Sequence, residues 1–113
     1  MPIYFLSLGS NLGDRAERLQ YGLEQLSSVG SVLRTSSLYE TAPVGNPDQP
    51  DFLNAAAEFE CALTPDLLLD RIKDIERMAG RDLEAPRWSA RPLDIDILLH
   101  GDTQISTPRL TIP

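Results

Sequence analysis

Asp94 and Asp96 lie two residues apart in the run Leu93-Asp-Ile-Asp-Ile-Leu-Leu99, where apolar side chains recur at 93, 95 and 97. A strand over 93–99 puts both carboxylates on one face and the apolar residues on the other. Two like charges side by side are unfavourable unless something cationic sits between them. Two hard oxygen donors suit Mg²⁺, which is typically held by one or two carboxylates plus the phosphates of a substrate. The spacing alone also fits a wet outer sheet face. Arg91 and Arg87, just upstream, favour the first reading, because arginines beside a carboxylate pair match the needs of a metal-bound phosphate.

A second group lies on the predicted strand 52–61. Phe52 and Asn54 share the face opposite Leu53, Ala55, Ala57, Phe59 and Cys61. An aromatic beside an amide can stack on a flat heterocycle and hydrogen-bond its edge, although packing under the preceding loop explains the pair equally well. Trp88, the only tryptophan, lies in a polar loop, where ligand or lid contact suits it better than core packing. His100, the only histidine, has no partner pattern and reads as a turn residue. Ser10 lacks a Gly-x-Ser-x-Gly frame. Gly9-Ser-Asn-Leu-Gly13 resembles a phosphate loop only in outline, since it lacks the lysine such loops use; Lys73 is the only lysine in the chain.

With 113 residues the chain has room for one domain, and it should bury roughly two-thirds of its unfolded surface. One cysteine, Cys61, excludes an internal disulfide framework and a cysteine-based zinc cluster. No apolar run reaches the ~18 residues of a membrane span, and the start MPIYFLSLGS lacks a signal-like basic region, so a cytoplasmic location with no membrane partner is expected. A net charge of −7 argues against a nucleic-acid partner. The basic residues are concentrated: Arg71, Lys73, Arg77, Arg81, Arg87 and Arg91 make 71–91 net +2 in a chain whose remainder is −9. That distribution fits either a focused anion site or a solvated helix face.

The elements that would position these residues are legible from periodicity. Residues 3–8 form an apolar run broken by Gly9, and a helix follows with a stripe at Leu12, Ala16, Leu19, Leu23 and Leu26, capped by Asn11 or Asp14. One strand is expected over 31–41 and a loop over 42–51. Thr64-Pro65-Asp66 then starts a helix with its stripe at Leu68, Ile72, Ile75 and Ala79, and Gly80 stops it. Residues 82–92 form a second long loop, and the tail after 99 is turn-rich. The order β-α-β-β-α-β with right-handed crossovers predicts an α+β, ferredoxin-like antiparallel sandwich with both helices on one face and the other face open.

The segments GSNLGDR, SSLYETAPVG, DQPDFLNAA, IERMAGR and RWSARPLDIDILLHGD occur in this order. Together they resemble the 6-hydroxymethyl-7,8-dihydropterin pyrophosphokinases of folate biosynthesis, from about residue 3 to the end. The resemblance implies the ferredoxin-like fold and transfer of pyrophosphate from ATP to the pterin, with release of AMP. It implies that Asp94 and Asp96 bridge two Mg²⁺ ions on the triphosphate, with Asp96 also helping to take the hydroxyl proton. It implies that Asn54 reads the pterin edge with backbone groups near Thr41, Pro43 and Val44, and that Phe52 walls the pterin slot. Arg81, Arg87 and Arg91 would hold phosphates, Glu76 would approach the nucleotide, and Trp88 would sit on a mobile closing loop, with Pro43 to Pro50 as the other. A monomer is expected.

The departures from that pattern are specific. Asp82-Leu83-Glu84 is acidic where some relatives are basic, and Lys73 stands where a glutamine is common. The chain ends at Leu110-Thr-Ile-Pro113, where the resembling family continues with a histidine, an arginine and a second aromatic. Reduced turnover is therefore an expectation of the resemblance, to be restored by appending such a segment. A non-catalytic nucleotide- or pterin-binding module is the alternative reading.

Overall fold

In a computed structural model of the chain, residues 3–43, 48–80 and 92–113 are described. Strand β1 (Ile3–Ser10) alternates: Tyr4, Leu6 and Leu8 are fully buried while Phe5 is exposed. The strand runs two residues beyond the expected break, because Gly9 pairs on both sides within the sheet. Helix α1 (Arg15–Leu26) starts where Asp14 Oδ1 accepts the Glu17 N–H at 3.1 Å. Leu19 and Leu26 are buried as expected, but Leu12 and Ala16 are exposed. Leu12 precedes the cap and is not on the helix, and the buried residues of α1 are Leu19, Gly22 and Leu26. A Cβ at Gly22 would stand 3.2 Å from Leu8 and Leu93, so the helix packs close to the sheet at that point.

The single strand expected over 31–41 is two strands, β2 (Ser31–Thr35) and β3 (Tyr39–Thr41), both paired with β4 (Phe52–Glu60). The break lies at Ser36, whose hydroxyl accepts the Ala56 N–H at 2.8 Å while its own N–H donates to the Ala56 carbonyl. A side-chain oxygen thus replaces a ladder carbonyl and the backbone leaves the strand. Helix α2 (Pro65–Met78) buries Leu68, Ile72 and Ile75. Strand β5 (Asp94–His100) and a short hairpin, β6 (Ile105–Ser106) and β7 (Thr111–Ile112), follow, and an Arg109–Asp70 ion pair ties the hairpin connection to α2.

The sheet order is β2-β4-β1-β5, all antiparallel, with β3 also on β4. This is the expected ferredoxin-like α+β sandwich. Leu6, Leu8, Ala55, Ala57, Phe59, Ile95 and Ile97 face the helices as one core. Phe5, Ser7, Asn54, Ala56, Glu58, Asp94 and Asp96 alternate onto the other face, which no described helix covers.

At the far end of the sheet His100 stacks on Tyr4, with ring centroids 3.9 Å apart. The Tyr4 hydroxyl donates to the Leu63 carbonyl at 2.7 Å, and burial pushes its pKa up to about 12. Burial holds the His100 imidazole below its usual 6.5. A base whose pKa is depressed by folding takes up its proton more readily when unfolded, so stability declines as pH falls through the ordinary histidine range. Melting temperatures measured from about pH 7.5 to about 5.5 are therefore expected to fall more steeply for the parent than for His100→Gln. Parallel curves would show that the histidine carries no linkage.

Candidate functional site

On the open face the register aligns the candidate residues across three strands. Gly9 pairs with Asn54 of β4 on one side and with Asp94 of β5 on the other. One row along, Ser7 pairs with Ala56 and with Asp96. Side chains between the amide and the carboxylates are therefore small: glycine, serine and alanine.

Asn54 is held in place by its neighbours. Its Nδ2 donates to Thr41 Oγ1 at 2.8 Å, with longer contacts to the Tyr39 and Phe52 carbonyls. Its Oδ1 leans over Gly9, where a Cβ would stand 3.0 Å from that oxygen and 3.4 Å from Phe52 Cδ1. A glycine after the apolar run 3–8 predicts a strand break at position 9. Gly9 is instead a strand residue whose missing side chain makes room for Asn54 and Phe52, a role that a glycine inside a strand signals. Thr41 closes β3 opposite Phe52, and Pro43 is half-buried just beyond it. Val44 lies outside the described residues.

Asp94 is half-buried and Asp96 exposed, with Ile95 between them anchored in the core at 3% exposure. They line a cleft of about 300 Å³ with Lys73 and Glu76 of α2 and with Arg109 and Thr111. Lys73, Arg109 and Thr111 were not singled out as site residues from the sequence; only the packing of α2 and the hairpin against β5 brings them to the carboxylates. Glu76 is 2% exposed, and its Oε2 accepts the Ile95 N–H at 2.8 Å. Arg81, Arg87, Trp88 and Arg91 lie outside the described residues. Among those described, no group of three or more His, Cys, Asp or Glu side chains is arranged to hold a metal ion. Two carboxylates beside cationic side chains fit Mg²⁺ carried by a phosphate ligand, which needs few protein oxygens, and do not fit an all-protein metal cage.

The fold and the cleft define a class: a small α+β domain with an acidic pair and cationic side chains at one sheet edge, suited to a metal-bound phosphate ligand, and an aromatic–amide pair on the same open face. The model of the 7,8-dihydro-6-hydroxymethylpterin-pyrophosphokinase (HPPK) family matches residues 5–113, and the chain belongs to that family. The 2-amino-4-hydroxy-6-hydroxymethyldihydropteridine pyrophosphokinase of Haemophilus influenzae is 43% identical over 111 residues, covering 96% of this chain and 69% of that protein. The protein of the same name from Bacillus subtilis is 43% identical over 114 residues, covering 98% of this chain and 67% of its own length. A folate synthesis bifunctional protein of Arabidopsis thaliana is 44% identical over 109 residues, and the chain spans 22% of its length.

The Gly9 geometry has a direct consequence. In Gly9→Ala the new methyl must displace the Asn54 amide or Phe52 by a few tenths of an ångström. Pterin affinity is expected to drop by the strain of an off-rotamer side chain, about 0.5–1.5 kcal/mol, while ATP affinity hardly moves. Titration calorimetry with each ligand checks this, and equal losses for both would point to a general distortion of β1.

Proposed function

We propose that this chain transfers the β,γ-pyrophosphoryl group of ATP to 6-hydroxymethyl-7,8-dihydropterin, giving AMP and the pterin diphosphate. The observation that carries the reading is the Asn54–Gly9–Asp94 row. Two inter-strand steps of ~4.8 Å separate the amide from the carboxylates by roughly 10 Å. A bicyclic ring that meets Asn54 with its amide edge and lies along Phe52 would extend its hydroxymethyl group toward β5, where the triphosphate is to be held.

The pterin oxygen attacks the β-phosphorus in line, and the bond from that phosphorus to the α,β-bridging oxygen breaks as AMP leaves. The protein's work is positioning and charge balance. Asp94 and Asp96 hold two Mg²⁺ ions, which when bound supply neutralising charge to the triphosphate. Asp96 also accepts the hydroxyl proton. Thr41 fixes the Asn54 amide, and backbone groups at Pro43 and Val44 complete the pterin edge. Arg81, Arg87 and Arg91 would serve the phosphate oxygens, and Trp88 would contact the substrates.

A single core among the described residues supports the reading of the chain as one domain, and the proposal includes a monomer in the cytoplasm without a nucleic-acid partner. No described helix is long and apolar enough to cross a membrane. The test is a single-turnover assay with ATP, Mg²⁺ and the hydroxymethyl pterin. Pterin-dependent AMP is the expected product; ADP in its place, or no pterin-dependent AMP, would overturn the proposal.

A further inference from the structure

We propose that Glu76 is a positioning residue for the Asp94–Asp96 pair, acting through the backbone of Ile95. The inference rests on the reading of that pair as the holder of a metal-bound phosphate.

Among the described residues strand β5 is the last strand of its sheet, and an N–H on its outer side meets no described neighbouring strand. The Ile95 N–H is such a group, and it is buried. Left without an acceptor it would bear the full desolvation penalty of a buried donor. Glu76 projects from α2, on a turn whose neighbours Ile72, Ile75 and Ala79 are apolar and buried, and supplies the acceptor at 2.8 Å. An acid at 2% exposure in a helix–sheet seam is an expensive choice for packing alone.

The residue it grips is the one between the two carboxylates. The Ile95 side chain is locked in the core, and its N–H is locked to α2. With both fixed, the directions of the flanking Cβ atoms of Asp94 and Asp96 are fixed as well. Held at both points, the strand presents its two carboxylates at one fixed spacing on the open face. Glu76 is not a third ligand in this arrangement, since it forms no metal-capable cluster with the pair among the described residues. Partners of this kind, bonded to the frame that carries the ligands, typically change metal affinity by 10–100-fold when removed.

The test compares Glu76→Gln, which keeps an acceptor oxygen, with Glu76→Met, which fills the space without one. Mn²⁺ binding in the presence of ATP is followed by electron paramagnetic resonance, and exchange of the Ile95 amide by NMR. Glu76→Gln is expected to keep Ile95 protected and Mn²⁺ affinity within about threefold of the parent. Glu76→Met is expected to lose that protection and about tenfold or more in Mn²⁺ affinity. If Glu76→Gln loses affinity while Ile95 stays protected, the carboxylate acts directly and the proposal falls. It falls equally if Glu76→Met exposes Ile95 and leaves Mn²⁺ affinity unchanged. Should Glu76→Met fail to fold, the Glu76→Gln result alone decides. A parent that binds Mn²⁺ with ATP but forms no AMP would overturn the proposed function and leave this inference standing; a parent that binds no Mn²⁺ would overturn both.

Discussion

Replacing Asp96 by asparagine is expected to reduce Mg²⁺-dependent turnover by about 10²–10³-fold, the usual cost of removing one preorganised group that meets developing charge. The side chain keeps its shape and loses only its charge. Asp96 is exposed on the open face, and the strand is anchored by Ile95 and Ile97, 3% and 7% exposed, from the opposite face. The core is therefore untouched, and stability should stay within about 0.5 kcal/mol of the parent, as for ordinary surface substitutions. Calorimetry with Mg²⁺ and ATP, paired with a thermal melt, separates the two effects. An unchanged nucleotide affinity at an unchanged melting temperature would return the acidic pair to the status of a wet sheet surface.

The second large effect falls on folding. Gly30 follows α1, donates its N–H to the Leu26 carbonyl at 3.0 Å, and leads directly into β2. A Cβ at this position would lie 2.3 Å from the Glu60 carbonyl oxygen, 2.6 Å from Cys61 Cβ and 2.9 Å from Phe59 Cζ. The first of these is backbone and the second is a Cβ, so no rotamer change relieves them. Gly30→Ala must push the α1–β2 connection away from the end of β4. The cost is expected at or above the top of the ~1–3 kcal/mol range for overpacking. Each kcal/mol corresponds to a fall of roughly 4–8 °C in a domain of about this size. A denaturant melt and a thermal melt should agree on the loss, while ligand affinities of the folded fraction stay near the parent's. A melting temperature within about 1 °C of the parent would mean that the connection yields without penalty.

Period-two patterning carried most of the fold. The alternation in 52–61 placed Ala55, Ala57 and Phe59 in the core and Asn54 on the other face, and Leu93, Ile95 and Ile97 did the same for the acidic pair. The helix stripes at Leu68, Ile72 and Ile75 were equally direct, because a face that must meet a sheet repeats every three or four residues. Where a side chain intervened in the backbone ladder, patterning failed. The segment 31–41 is rich in Val, Thr and Tyr and alternates loosely, and that alternation does not reveal that the Ser36 hydroxyl takes the Ala56 N–H and splits it. Leu12 failed for a related reason: the Asp14 cap sets the helix start, and an apolar residue before the cap has no helical face to occupy.

By itself, then, the sequence determined which residues share a strand face or a helix stripe, since those depend only on local geometry of period 2 or 3.6. The pairing of Asp94 with Asp96 and of Phe52 with Asn54 belongs to that level. The tertiary structure alone decided which faces meet. Register across β1 set Asn54 and Asp94 on either side of Gly9, and the docking of α2 carried Glu76 to the Ile95 N–H and Lys73 to the carboxylates. Those contacts join residues far apart in the chain. They are fixed by close packing and by the demand that buried donors find acceptors, conditions that exist only once the elements have come together.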